Sequence, residues 1–243
     1  MIKFRQTILT IRQTYKPWLT GGLYFFMVAG GLWHLLNVFQ GLMTILAAPL
    51  IILLAIINCL DFYMENITDQ GTQTPMQSNS VLLKIASYAL LAIVFGYLIE
   101  LIGMRSGLIF GHYEYSSILR PRIFGVPVAI GFAWLSTYLS SYAIVYRYIK
   151  PLEDRIHLLL HALFIASLMV VFDAFMEPSA TKLNYWTWQS NHIPLQNYLA
   201  WFVISLVYVC IGYRMKLHKL KPSIIMVHIY IAQLIYFLMV LFK

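Results

Sequence analysis

Apolar residues run along this chain in long blocks separated by short polar stretches. A helix needs about twenty largely apolar residues to cross a bilayer. Blocks of roughly that kind occupy residues 18–39, 42–60, 81–103, 127–149, 155–177, 197–212 and 223–242. The pattern predicts an all-α polytopic membrane bundle of about seven transmembrane helices, forming a single domain over 1–243. The connection at Gln40 and Gly41 is tight enough to make the first two helices a hairpin, and Pro49 should kink the second. Residues 61–80 are polar and contain Gly71 and Pro75, so they read as a loop. The block starting at Trp18 lacks a small-residue cleavage site and reads as a retained span, not a removable signal. No inverted repeat of the kind that marks transporters is visible.

Composition narrows the class. Hydrophobic residues make up 60% of the chain and charged residues 11%, which excludes an ordinary soluble domain. The net charge of +8 would suggest nucleic acid in a soluble protein. Here the cations fall in the connections between apolar blocks, where they act as topology signals beside anionic lipid. Cys59 and Cys210 both lie inside apolar blocks and form neither a disulfide framework nor a zinc motif. With the N-terminus in the cytoplasm, Arg105, Arg120, Arg122, Lys182 and Lys243 lie outside and the other twelve of 17 Lys and Arg inside. That asymmetry orients the chain N-inside in a bacterial cell membrane.

Orientation brings the candidate chemistry together. Glu100, Asp173 and Glu177 all fall near the outer ends of their blocks, as do His34 and Asn197. Carboxyl groups at membrane depth are costly and mark cavities, partners or substrates. Asp173 and Glu177 stand one helical turn apart on one face, and Pro178 should end that helix. The two long outer connections carry Phe110, Tyr113, Tyr115, Phe124, Tyr185, Trp186 and Trp188, with Trp201 just beyond. Interfacial belts use such residues, but aromatic faces also stabilise cations in a dry site. Acids that protonate an alkene, set beside rings that shield the resulting carbocation, make a coherent chemical set. Gly103, Gly107 and Gly111 recur every four residues, which suits either a helix-packing stripe or a substrate-lining turn.

Other motifs carry less. His157 and His161 have ligand spacing, yet the remaining histidines offer no second pair, and both lie toward the inner side, away from the acids. A metal site is therefore not expected. Asn66-Ile67-Thr68 matches a glycosylation acceptor but falls on the cytoplasmic side. A retinal protein would need a lysine within the last block, and residues 223–242 contain none. No dinucleotide-binding or haem-attachment pattern is present, so no cofactor is expected.

Two segments together resemble the membrane carotenoid biosynthesis protein family, whose characterised members hydrate acyclic carotenoid ends. The resemblance rests on Glu100, Gly103, Gly107, Phe110-Gly111, Tyr113, Tyr115, Leu119, Pro121, Gly125-Val126-Pro127 and Trp134. It resumes at Asp173, Glu177-Pro178, Ala180, Tyr185-Trp186, Trp188, Pro194, Asn197-Tyr198 and Trp201. It covers residues 81–212, with motif blocks at 100–134 and 173–201. Where this chain has Glu177, some members carry Asp, and the carboxyl chemistry is kept. The resemblance implies addition of water to the terminal 1,2 double bond of a ψ-end, without a cofactor. Asp173 and Glu177 are then the expected acid–base pair, with Glu100 as rival for either role. Tyr113, Tyr115, Trp186, Trp188, Trp134, Asn197 and His34 are the expected substrate contacts. The expected partner is a carotenoid dissolved in the membrane, alongside other enzymes of its synthesis. A carotenoid cyclase shares the first protonation and is the nearest alternative. A transporter or carrier whose acids bind a proton or cation is the alternative from another class.

Overall fold

The computed structural model describes residues 2–69, 75–149 and 155–243. Each apolar block becomes a helix: α1 (Ile2–Leu35), α2 (Gln40–Asp69), α3 (Pro75–Ser106), α4 (Ala129–Tyr148), α5 (Arg155–Lys182), α6 (Leu195–Arg214) and α7 (Ile224–Leu241). Five of them, α2, α3, α5, α6 and α7, are long and apolar enough to cross a membrane. Their outward faces carry large apolar side chains such as Ile45, Leu83, Leu90 and Leu199, all more than 60% exposed. An all-round apolar surface of this kind is stable only in lipid. The protein is an integral membrane helical bundle.

Helix α4 is its axis. Of its 20 residues 14 are buried, and it packs against α2, α3, α5, α6 and α7. Its Gly, Ala, Ser and Thr positions allow this, because small residues let neighbouring backbones approach. Gly131, for example, lies directly against the backbone carbonyl of Ile93 on α3.

Two expectations need correction. Most of the stretch 61–80 is helical, since α2 runs on to Asp69 and α3 begins at Pro75; residues 70–74 lie outside the described residues. The polar residues that suggested a loop, Asp61, Glu65 and Thr68, continue a helical spacing that begins at Asn58 and are buried on one side of α2. Tyr15 donates to Asp61 Oδ1 at 2.9 Å, and Lys16 pairs with Glu65 at 3.3 Å, so this side holds α1 to α2. Pro178 does not end its helix either: α5 continues through it to Lys182. There the Ser179 hydroxyl donates to the carbonyls of Phe175 (2.8 Å) and Phe237 (3.0 Å), engaging backbone next to the proline. The two long connections, between α3 and α4 and between α5 and α6, contain short strands. Strand β1 (Tyr113–Tyr115) pairs antiparallel with β4 (Trp186–Trp188), while β2 (Arg122–Ile123) pairs with β3 (Val126–Pro127).

Candidate active site

The β1–β4 ribbon joins the α3–α4 and α5–α6 connections over one end of the bundle. Its register sets Tyr113 opposite Trp188 and Tyr115 opposite Trp186. Side chains alternate across a strand, so these four rings share the inward face while Glu114 and Thr187 are exposed. Gly107 and Gly111 turn the chain from α3 into the ribbon with φ of 65° and 104°. That decides between the two readings of the glycine series: Gly103 is helical, whereas the other two serve turns that favour glycine.

Beneath the ribbon lie the three carboxyl groups. Glu100, near the C-terminal end of α3, accepts from Tyr113 Oη (2.6 Å) and Tyr115 Oη (2.9 Å) at Oε2, and from Trp134 Nε1 (3.1 Å) at Oε1. Glu177 accepts from Trp186 Nε1 (2.8 Å) and Trp188 Nε1 (3.1 Å), both at Oε2. Asp173, one turn deeper on α5, accepts from Asn197 Nδ2 at 2.8 Å on Oδ2, and its Oδ1 has no partner among the described residues. None of the three forms a salt bridge among the described residues. An indole N–H can only donate, so the oxygens it meets are acceptors. A proton on Glu177 therefore sits on Oε1. The Tyr113 and Tyr115 phenols are pushed above their ordinary range by burial and by the Glu100 carboxylate beside them, which keeps them donors.

Glu100, Glu177 and Asn197 line a chamber of about 30 Å³, room for a water molecule. Its walls are Phe110, Tyr113, Tyr115, Trp134, Trp186, Trp188 and Trp201 with Ile130, Ala133 and Met176. Trp134 stacks on Trp201 with centroids 3.7 Å apart, and on Tyr208 at 5.5 Å, which fixes its N–H toward Glu100. A second, apolar cavity of about 120 Å³ runs between α1, α2, α4, α5 and α7. Ile130, Ala133, Met176 and Trp186 line both spaces, so the apolar cavity abuts the acid chamber.

The structure thus gathers Glu100, Glu177, Tyr113, Tyr115, Trp134, Trp186, Trp188 and Asn197 around one chamber, with Asp173 held behind Asn197. It does not bring His34 there. His34 lies on α1, bonded to Gln40 (2.9 Å) and Tyr236 (3.0 Å), and α1 packs chiefly on α7. His161 is buried in the N-terminal half of α5 against Tyr213 at 2.6 Å, away from the carboxyl groups. Phe110 and Met176 were not among the expected contacts, and the apolar cavity had no signal in the sequence, being built from ordinary apolar residues of five helices.

No solved structure matches the chain. A stretch of 131 residues is 28% identical to the bisanhydrobacterioruberin hydratase of Haloarcula japonica, covering 51% of this chain and 43% of that protein. Over most of its length, residues 47–242, the sequence fits the family described as carotenoid biosynthesis protein. That span takes in all three carboxyl groups, the ribbon and the aromatic wall, and the chain belongs to the carotenoid biosynthesis protein family.

Proposed function

We propose that the acid chamber adds water across the terminal 1,2 double bond of an acyclic carotenoid ψ-end, giving a tertiary alcohol. The observation that carries this reading is the junction between an apolar cavity and a small chamber with carboxyl groups and donors but, among the described residues, no salt bridge. The apolar cavity suits the terminal unit of a hydrocarbon chain, and the chamber beside it suits the water that adds to it. The hydratase named among the relatives supports the same chemistry.

Each residue has a part. Glu177 is the proton donor: its Oε2 is occupied by two indole N–H groups, leaving Oε1 to carry a proton toward the alkene. The π electrons of the double bond take that proton at the less substituted carbon, leaving a tertiary cation. The faces of Trp186, Trp188 and Tyr113 and the fixed charge of Glu100 stabilise it. Water held at Glu100 forms the new C–O bond and gives up one proton to the carboxylates, so that water is consumed and the acids are restored. Asp173, held by Asn197 one turn below Glu177, keeps a second carboxyl oxygen available for that proton. Cyclisation would need a second double bond of the same chain folded over the cation. A chamber of about 30 Å³ favours capture by water instead.

The basic-residue asymmetry supports an orientation with this chamber in the outer leaflet and the N-terminus inside. The direct experiment is expression in a strain that accumulates lycopene or gamma-carotene, followed by product mass. Gain of one water per reacting end is expected. Unchanged mass with a ring formed would indicate a cyclase, and solute or proton flux without chemical change would indicate a transporter.

A further inference from the structure

The apolar cavity has a side opening whose position is set by how α1 and α2 are joined. At their inner ends the two helices are tied by the Tyr15–Asp61 hydrogen bond and the Lys16–Glu65 pair. Somewhat further out, Leu23 and Leu54 meet in one buried apolar cluster with α7. At the outer end the turn is tied by Gln40 Nε2, which donates to the carbonyls of Trp33 (2.9 Å) and Val38 (3.1 Å). Just below it, Met43 lies against Gly30, where an added Cβ would stand 3.2 Å from Met43 Cε. Between these closures the seam is lined by Phe26 and Met27 on one side and Ala47, Leu50 and Ile51 on the other. Phe26 lines the cavity while remaining 66% exposed, so the cavity reaches the lipid face there. The stretch from Met43 to Leu54 spans about 16 Å at 1.5 Å per residue.

Volume limits what the cavity can enclose. Its 120 Å³ is less than the roughly 150 Å³ of a cavity that holds benzene. About one isoprene unit fits, and the remainder of a long polyene has to stay outside.

We propose that the α1–α2 seam is a lateral portal through which an acyclic isoprenoid hydrocarbon enters end-first from the bilayer. The protein then encloses about the terminal isoprene unit, while the rest of the tail lies in the seam and in lipid. The inference rests on the hydration reading for its substrate class. It adds that recognition is confined to one end, so the far end group is not read. A substrate with two reactive ends is released and rebound between reactions.

The test uses the full chain in lipid nanodiscs and an acyclic polyprenyl hydrocarbon carrying a diazirine on the second isoprene unit from its terminal alkene. After irradiation, labelled peptides are expected from residues 24–31 and 43–54. Ala47→Phe fills the seam and should reduce both labelling and kcat/KM for an acyclic carotene by at least about tenfold. Phe26→Ala should keep or increase labelling, and Leu199→Phe, on the lipid face of α6, should change neither. Labelling confined to other faces of the wild-type protein would overturn the portal, as would full kcat/KM in Ala47→Phe. Labelling at the seam with no hydrated product from the wild type leaves the portal standing and removes the hydration reading. Hydrated product with no labelling at the seam does the opposite.

Discussion

Tyr113→Phe removes one oxygen and leaves the ring. The lost hydroxyl donates to Glu100 Oε2 at 2.6 Å, the shortest of the three bonds that hold this carboxylate. A hydrogen bond to a charged group contributes about 1.5–3 kcal/mol. If all of that stabilises the carboxylate facing the cation, the rate should fall by about 10- to 150-fold. Tyr115 still donates to the same oxygen at 2.9 Å, which places the single variant toward the lower end. The double variant Tyr113→Phe/Tyr115→Phe leaves Oε2 with no phenol donor and should fall by about a hundredfold or more. Packing is retained, since the ring keeps its neighbours Trp188, Tyr115 and Phe110 at centroid distances of 5.1, 5.5 and 6.2 Å. The assay is kcat on an acyclic carotene in proteoliposomes, normalised to folded protein and read beside the thermal midpoint. Wild-type kcat in the double variant would refute the role given to Glu100. A fall in kcat accounted for by loss of folded protein would refute it equally.

Glu177→Gln keeps the size of the side chain and removes its transferable proton, so activity should fall by roughly two to four orders of magnitude at unchanged protein level. Asp173→Asn should retain more activity than Glu177→Gln, because Asp173 does not line the chamber; the opposite ranking would exchange their roles. Gly96→Ala would push a methyl group into the Tyr208 hydroxyl and to 2.9 Å from Trp134 Cβ. Overpacking there should cost about 1–3 kcal/mol and lower the thermal midpoint, and an unshifted midpoint would contradict the packing described. A reporter fused after Lys182 should be external and one after Lys219 cytoplasmic; both on one side would contradict the proposed orientation.

Hydropathy reads the spans well because the bilayer imposes one length on all of them. The block 197–212 appears as Leu195–Arg214 and the block 223–242 as Ile224–Leu241. It fails where polar residues are helical for another reason. Asp61 and Glu65 looked like loop residues, yet they bond α1 from within α2. It also fails at Pro178, which stands inside α5. That the acids share one end of the bundle was legible from their positions at the ends of the apolar blocks, but the direction each helix faces was not. His34 also falls near the end of its block yet lies on α1 against Tyr236, outside the chamber. The ribbon was hidden because its strands are three residues each and their pairing spans the interval from Tyr113 to Trp188. Y-E-Y and W-T-W alternate with period two, but runs so short give no strand signal without the partner. The four inward aromatics were nonetheless expected contacts, since their type and density beside acids pointed to a cation.

Isotope labelling tests the addition of water most directly. In deuterated water the product should carry one non-exchangeable deuterium on the carbon beside the new alcohol. In oxygen-18 water the hydroxyl should be labelled, and turnover should continue without molecular oxygen. Hydroxyl oxygen derived from oxygen gas, with activity lost under anaerobic conditions, would contradict acid-catalysed hydration.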